Sequence, residues 1–253
     1  MSRALAWVGR WYSLPLLLIC WQVVVASGWV TSILLPSLGT VLQAFVHDVL
    51  NGALPLAALL TVERSLAGFL LSLIVGVPLA LGMARSAWFG RLLEPTFFAG
   101  YPVPKIAFYP IFTFIFGIGT SSKISFTFLE ALYPIVVTTY VGVHAIQTRL
   151  VWSARNFGAG PTQILYRVLL RAALPDIFSG IRIALPIAIT VTVVTEMIGG
   201  SSGLGYYITI ASARFRYQNV YAGILTIGLC GFLFDWLVVL ARRIFVYWER
   251  PEA

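Results

Sequence analysis

The sequence predicts an all-α integral membrane protein with six transmembrane helices, and three observations carry that reading. Hydrophobic residues make up 59% of the chain and charged residues only 10%, where soluble domains carry about a quarter charged. Mean hydropathy is +0.91, more apolar than one water-soluble core requires. Apolar runs that suit a hydrocarbon layer of about 30 Å recur at 14–30, 66–84, 96–116, 124–146, 183–199 and 221–244. Residues 1–253 read as a single transmembrane domain.

The first run follows Arg3 and Arg10 and is edged by Trp7, Trp11, Tyr12 and Trp29, as suits rings at a membrane interface. A cleavable signal competes with this reading, because Val24 and Ala26 loosely fit a small-residue cleavage rule. Bulky Trp21 and Gln22 within the run favour a retained span. Residues 31–64 hold the breakers Pro36, Ser37, Gly39, Gly52 and Pro55 and the polar groups His47, Asp48, Glu63 and Arg64. They read as a non-cytoplasmic connection with a short helix near 40–50.

In the second span Gly68, Ser72, Gly76, Ala80 and Gly82 allow close helix approach, with a kink expected at Gly76 and Pro78. The third contains Pro102, Pro104 and Pro110 beside Lys105, so a straight helix is not expected there. Two readings of it stay open. Either a helix starts near Lys105, with the amine reaching for headgroups, or a broken element lines a pathway, since broken helices at membrane depth face protein or water. The fourth span carries Glu130 and Pro134. The fifth carries Glu196 and ends in a glycine corner with Gly199, Gly200, Gly203 and Gly205, and the sixth carries Asp235.

Residues 150–182 cannot span, because Arg155, Arg167, Arg171, Asp176 and Arg182 interrupt every apolar run. Gly158, Gly160 and Pro161 form a breaker cluster, a helix is expected from Thr162 to about Leu170, and 172–175 marks a second break. A connection of this length is usually functional. Orientation follows from the basic residues. With the N-terminus inside, Arg3, Arg10, Arg85, Arg91, Arg149, Arg155, Arg167, Arg171, Arg182, Arg242, Arg243 and Arg250 share the cytoplasmic side, against Arg64, Lys123, Arg214 and Arg216 outside. Both termini and the 150–182 loop are therefore expected in the cytoplasm.

Several function classes drop out. The net charge of +8 lies between apolar runs and forms no basic stripe with stacking aromatics, so nucleic acid is not an expected partner. Cys20 and Cys230 sit inside apolar runs, and no disulfide or metal site is implied. A membrane-embedded protease would need a paired nucleophile and base or a His-Glu-x-x-His cluster, and neither motif occurs. An autonomous secondary transporter is the standing alternative, although it should show paired broken helices in two repeats. The chain has no Gly-x-x-x-x-Gly-Lys-Ser/Thr loop, so ATP binds elsewhere if ATP is used.

In the 150–182 loop Ala154, Gly158, Val168 and Leu170 fall at the spacing of a signature that reads Glu-Ala-Ala, three residues, Gly, nine residues, Ile-x-Leu-Pro. Trp152, Ser153 and Arg171 depart from it. Leu35-Pro36-Ser37, Tyr133-Pro134-Ile135, Ala172-Ala173-Leu174-Pro175, Thr195-Glu196-Met197 and Gly203-Leu204-Gly205-Tyr206 accompany it in order. Across nearly its whole length the chain resembles the permease subunit of bacterial ATP-binding cassette importers, in the group serving nitrate, sulfonate, taurine and thiamine-precursor uptake.

That resemblance implies a type I importer permease fold in the bacterial inner membrane, with a cytoplasmic coupling helix between spans four and five. It implies a homodimer of permeases, two cytoplasmic ATPase subunits that bind ATP and Mg, an extracytoplasmic binding protein, and no catalysis or cofactor on this chain. The solute is then a small organic anion of the sulfonate, taurine or nitrate type, or a pyrimidine or other aromatic compound. Ala154, Phe157, Gly158, Ala159, Gly160, Pro161, Ile164, Leu165 and Arg167 are the implied ATPase-coupling residues. Within them, Phe157, Ile164 and Leu165 are expected to dock in a groove, with Gln163 and Arg167 at its edge.

The pathway or gate candidates are Glu196, Glu130, Lys105, Tyr109, Gly203 and Gly205. A carboxylate at helix centre costs about 2.5–3.5 kcal/mol on insertion scales, so Glu130 and Glu196 should face the protein interior or water. Glu196 is read either as bonding backbone freed at the glycine corner or as touching solute. Glu130 is read as pairing with Lys123, Asp235 with Arg242 or an arginine of a neighbouring span, and His144 as a satisfied interfacial side chain.

Overall fold

A computed structural model describes residues 12–248, and within them every regular element is helical. In chain order these are α1 (Ser13–Ser27), α2 (Leu38–Leu50), α3 (Ala53–Arg85) and α4 (Ala87–Gly100). A 3₁₀ turn (Lys105–Phe108) leads into α5 (Tyr109–Phe116), α6 (Thr120–Ala145) and α7 (Thr148–Asn156). The α8 segment comprises Pro161–Gln163, a π-helical stretch Ile164–Leu169 and Leu170–Ala172, and is followed by α9 (Leu174–Gly199), α10 (Leu204–Ala213) and α11 (Tyr217–Phe245). Among the described residues α3, α6, α9 and α11 are long and apolar enough to cross a membrane, whereas Pro15–Ser27 and Lys105–Phe116 are shorter apolar helices. Arg3, Arg10, Trp7, Trp11 and Arg250, on which the orientation of the termini rests, lie outside the described residues.

The centre of the fold is the packing of α3, α6 and α9 on one another. Small residues permit it: a Cβ on Gly68 would lie 2.7 Å from the Thr127 Cβ, so these two helices approach to backbone distance. Thr127 and Thr192 share a 2.9 Å hydrogen bond between α6 and α9, satisfying both hydroxyls where neither lipid nor water reaches. Phe69, Ala131, Ile135, Ala184, Leu185 and Ala188 fill the middle of this three-helix contact. At one end Leu81, Val143, Ala173 and Ile177 form a second cluster, against which Leu165 and Leu169 of α8 rest. At the other end Leu54, Ala57, Leu204 and Ala222 join α3, α10 and α11.

The three largest boundary differences from the sequence expectation each have an identifiable reason. α3 begins at Ala53 rather than beyond Arg64. Asn51 Oδ1 accepts from the Ala53 N–H at 2.9 Å, Pro55 falls in the first turn where it is tolerated, and Arg64 is buried and paired, so it marks no interface. The 96–116 segment is two helices separated by a break at 101–104, because Pro102 and Pro104 remove N–H donors and Pro104 disfavours α geometry at Val103. α9 starts at Leu174, with Pro175 in its first turn, so the 150–182 loop ends earlier than its charges suggest.

Candidate functional site

The candidate residues fall at two ends of the bundle. α9 has 26 residues, about 39 Å at 1.5 Å per residue. It therefore separates the α7–α8 arm at its start from the glycine corner at its finish.

At the glycine corner Glu196 is 1% exposed. Its carboxylate accepts from Arg64 Nη1 at 2.6 Å, from Thr61 Oγ1 at 2.8 Å and from the Gly205 N–H at 3.1 Å. Arg64 also donates to the Ser202 carbonyl at 3.0 Å and to Ser202 Oγ at 2.7 Å. Thr61 Oγ1 in turn accepts from the Leu204 N–H at 2.8 Å. Backbone freed where α9 breaks is thus satisfied by two α3 side chains and one α9 carboxylate, which is the first of the two readings of Glu196. Gly203 has φ +98° and a Cβ there would lie 2.2 Å from the Glu196 carboxyl carbon, so both backbone and space require glycine. Tyr109 is buried beside this network, edge-on to Phe126 at 5.4 Å.

Lys105 and Glu130 form a second buried cluster, with Nζ 3.5 Å from the carboxylate. The amine also contacts the Tyr101 and Val103 carbonyls at 3.2 and 3.3 Å and sits 4.4 Å from the centre of the Tyr133 ring. It therefore satisfies carbonyls left open where α4 ends and does not reach for headgroups. Lys123 is not the partner of Glu130. Its Nζ donates to Gly119 O at 3.0 Å and Gly199 O at 3.4 Å, placing a cation at the C-terminus of α9, where the helix dipole favours one. Asp235 pairs with Arg182 of neighbouring α9 at 2.8 and 3.2 Å, the arginine of a neighbouring span in its second reading. His144 Nδ1 meets the Tyr140 carbonyl at 3.0 Å.

At the opposite end α7 stops on a Schellman motif, with Gly158 N–H to Arg155 O at 2.9 Å and Ala159 N–H to Ala154 O at 3.0 Å. Gly158 has φ +79° with nothing within 4 Å of a Cβ, so its requirement is purely conformational. Pro161 opens α8 and Gln163 Oε1 accepts from the Gly160 N–H at 3.1 Å. Phe157 is 89% exposed, and Trp152, Tyr166, Arg167 and Arg171 are also exposed. Ile164 is 7% exposed and Leu165 leans on the Leu81–Val143 cluster. This corrects the expected docking face: Ile164 and Leu165 anchor the arm inward, while Phe157 presents the apolar surface, with Trp152 and Tyr166 beside it. Gln163 is committed to its own helix start.

Sequence reading missed a third cluster. Asp48 accepts from Tyr207 Oη, from Asn219 Nδ2 at 2.7 Å and from Asn51 Nδ2 at 3.1 Å, and pairs with His47 Nδ1 at 2.9 Å. It ties α2 and α10 to the first turn of α11. Burial pushes the Asp48 carboxyl up, but these hydrogen bonds outweigh it and hold the group below the ordinary carboxylate value. Burial and the Asp48 contact push Tyr207 up. A lowered folded-state value adds stability that is present above the unfolded carboxylate value of about 3.9 and lost as pH falls through the lower folded value. Asp48→Asn is therefore expected to lower the melting temperature at pH 7, with the deficit shrinking below about pH 4. Melting curves of both proteins across pH 3–7 check this.

The described residues thus form a helical membrane subunit with a buried charge network at the glycine corner and an exposed arm at the opposite end of α9. The model of the binding-protein-dependent transport system inner membrane component family matches residues 68–246, and the chain belongs to that family. It is 33% identical over 237 residues to SsuC of Bacillus subtilis, provisionally named an aliphatic sulfonates transport permease protein, covering 93% of this chain and 86% of that one. It is 33% identical over 190 residues to the taurine transport system permease protein TauC of Escherichia coli, covering 75% and 68% of the two chains. It is 32% identical over 237 residues to the riboflavin transport system permease protein RibX of Chloroflexus aurantiacus, covering 94% and 88%. The fold is shared with an inward-facing crystal form of the MetNI methionine ABC transporter, at TM-score 0.67 and 19% identity, over 77% of this chain and 95% of that one. The chain is thus a multi-pass inner-membrane permease subunit, not an enzyme, and works with a separate ATPase and a binding protein. This sets aside the autonomous secondary transporter.

Proposed function

We propose that this subunit imports a small organic anion of the sulfonate or taurine type. Two copies form the pathway, each with six spans and both termini in the cytoplasm, and two partner ATPases hold ATP and Mg. Two relatives, each 33% identical and named for aliphatic sulfonate and taurine transport, support the solute class. The observation that carries the coupling role is the exposed α7–α8 arm, braced inward by Ile164 and Leu165 and turned by Gly158. In this reading Ala154, Phe157, Gly158, Ala159, Gly160, Pro161 and Arg167 shape or present the ATPase contact. Trp152 and Arg171, exposed on the same arm, mark where the partner surface differs from that of relatives.

Alternating access supplies the mechanism. Nucleotide binds the closed ATPase pair more tightly than the open one, so its binding shifts the permease pair between inward- and outward-facing states. Glu196, Gly203 and Gly205 act as the outer corner that must stay rigid during this movement. Lys105, Glu130 and Tyr109 brace the broken third segment beside the pathway. An aromatic solute is the second reading, supported by the relative named for riboflavin transport. Deleting the gene in its host and measuring uptake of labelled taurine, alkanesulfonates and riboflavin tests the choice. Loss of sulfonate or taurine uptake is expected; loss confined to riboflavin favours the second reading, and loss of neither contradicts both.

A further inference from the structure

At the glycine-corner end, opposite the α7–α8 arm, a cavity of about 440 Å³ opens between α2, α10 and the start of α11. That volume suits a small ligand. Its polar side carries Arg214, Arg216, His47, Asn219 and Ser202, and its apolar side includes Leu56, Leu60 and Ile210. Neither arginine has an ion-pair or side-chain hydrogen-bond partner among the described residues, and both are exposed. Asp48 is the one carboxylate in the lining, and it is already occupied by Tyr207, Asn219, Asn51 and His47. The charge left to act on a ligand is therefore positive.

The backbone turn between α10 and α11 puts both arginines in the lining of this cavity. α10 ends on a Schellman motif, with Phe215 N–H to Ser212 O at 3.0 Å and Arg216 N–H to Ala211 O at 2.9 Å. The residue in the left-handed position is Phe215, at φ +56° and with no glycine to ease it. The turn brings Arg214 and Arg216, on either side of it, to one cavity. Paired arginines suit the flat or trigonal oxygens of a carboxylate, sulfonate or phosphate, and the Leu56–Leu60–Ile210 wall suits a short carbon chain attached to such a group.

We propose that this cavity is an extracytoplasmic capture site for small organic anions, lying within one permease subunit. The oxyanion is held by Arg214 and Arg216 and the tail lies against α3 and α10. The proposal rests on the reading of the protein as an organic-anion importer and adds a site to it. Ser202 links the site to the transport machinery, because it lines the cavity and also accepts from buried Arg64.

The test is isothermal titration of butanesulfonate and of sulfate into the full-length chain in phosphatidylcholine nanodiscs. Saturable binding is expected, with butanesulfonate about tenfold tighter than sulfate because the tail is buried. R214Q/R216Q should weaken butanesulfonate binding about tenfold or more, R214K/R216K should retain part of it, and R91Q, an exposed arginine at the other end, should leave it unchanged. Equal melting curves for the variants show that the fold is intact. Absent binding, or binding unaltered in R214Q/R216Q, overturns the proposal. So does a double variant that loses only association with phosphatidylglycerol, since the arginines would then hold a lipid headgroup. Binding is read without ATP or partners, so it stands or falls separately from the importer reading, which sulfonate uptake tests.

Discussion

Arg64→Ala is expected to destabilise the protein by about 3–5 kcal/mol, because it breaks a buried ion pair at the glycine corner. The reason is the state of Glu196 after the change. Its side chain is 0% exposed, and without the guanidinium it keeps only the Thr61 hydroxyl and the Gly205 N–H as partners. An unpaired carboxylate at that depth has no water to turn to. Ser202 would lose both of its Arg64 contacts in the same step, loosening the turn that joins α9 to α10. Glu196→Gln should cost less, because the amide can still bond Thr61 and leaves one cation to be solvated from the corner. Replacing both members by apolar residues, Arg64→Met with Glu196→Leu, should recover part of the Arg64→Ala loss, since a well-packed apolar pair often matches a buried ion pair. Thermal unfolding of the four proteins in one detergent decides it. Equal melting of Arg64→Ala and the parent would mean that the ion pair does not hold the corner.

How much of this was legible in the sequence differs from one residue to another. The four long helices are legible because an apolar run of span length reports directly on a membrane. The break in the third segment was readable from Pro102 and Pro104, and the start of α8 from Pro161. Pairing was not. Glu130 was matched to Lys123 because they share a helix, yet its partner Lys105 comes from the neighbouring broken segment, and only tertiary packing sets that choice. Arg64 reads as a charge of the 31–64 connection, although α3 carries a signal that places it inside. The small and polar positions Gly68, Ser72 and Gly76 extend back at helical spacing through Ser65 and Thr61, all buried on α3, and Arg64 lies on that same face. The inward turn of Ile164 and Leu165 was hidden for a related reason: periodicity identifies an apolar face without saying whether the protein or a partner covers it. The Asp48 cluster draws on His47, Asn51, Tyr207 and Asn219, the last of them 171 positions from Asp48, and no local pattern announces it.

Gly158→Val is the second change with a large expected effect, and it falls on function rather than on folding. Nothing lies within 4 Å of a Cβ at that position, so added volume clashes with nothing. The penalty is conformational: a left-handed φ costs an L-residue roughly 1–2 kcal/mol, and more when it is β-branched. α7 would no longer end on its Schellman motif, and Phe157, Gly160 and Pro161 would leave their present positions relative to Ile164 and Leu165. A shift of about 2 kcal/mol against the arm's working geometry corresponds to roughly a thirtyfold loss of the competent state. Gly158→Asn is the matched control, because asparagine visits the left-handed region with little strain. The long helices lie elsewhere, so Gly158→Val should still insert and remain in the membrane.

In the proposed coupling role the α7–α8 arm passes ATP hydrolysis on to solute movement. The most direct measurement is ATP-driven sulfonate accumulation in vesicles that contain the permease, its ATPase and its binding protein, with the parent, Gly158→Asn and Gly158→Val compared side by side. ATP-dependent accumulation is expected for the parent, near-parent accumulation for Gly158→Asn, and a loss of about tenfold or more for Gly158→Val. Undiminished accumulation by Gly158→Val with the ATPase still bound, or accumulation by the parent that needs no ATP, would contradict it.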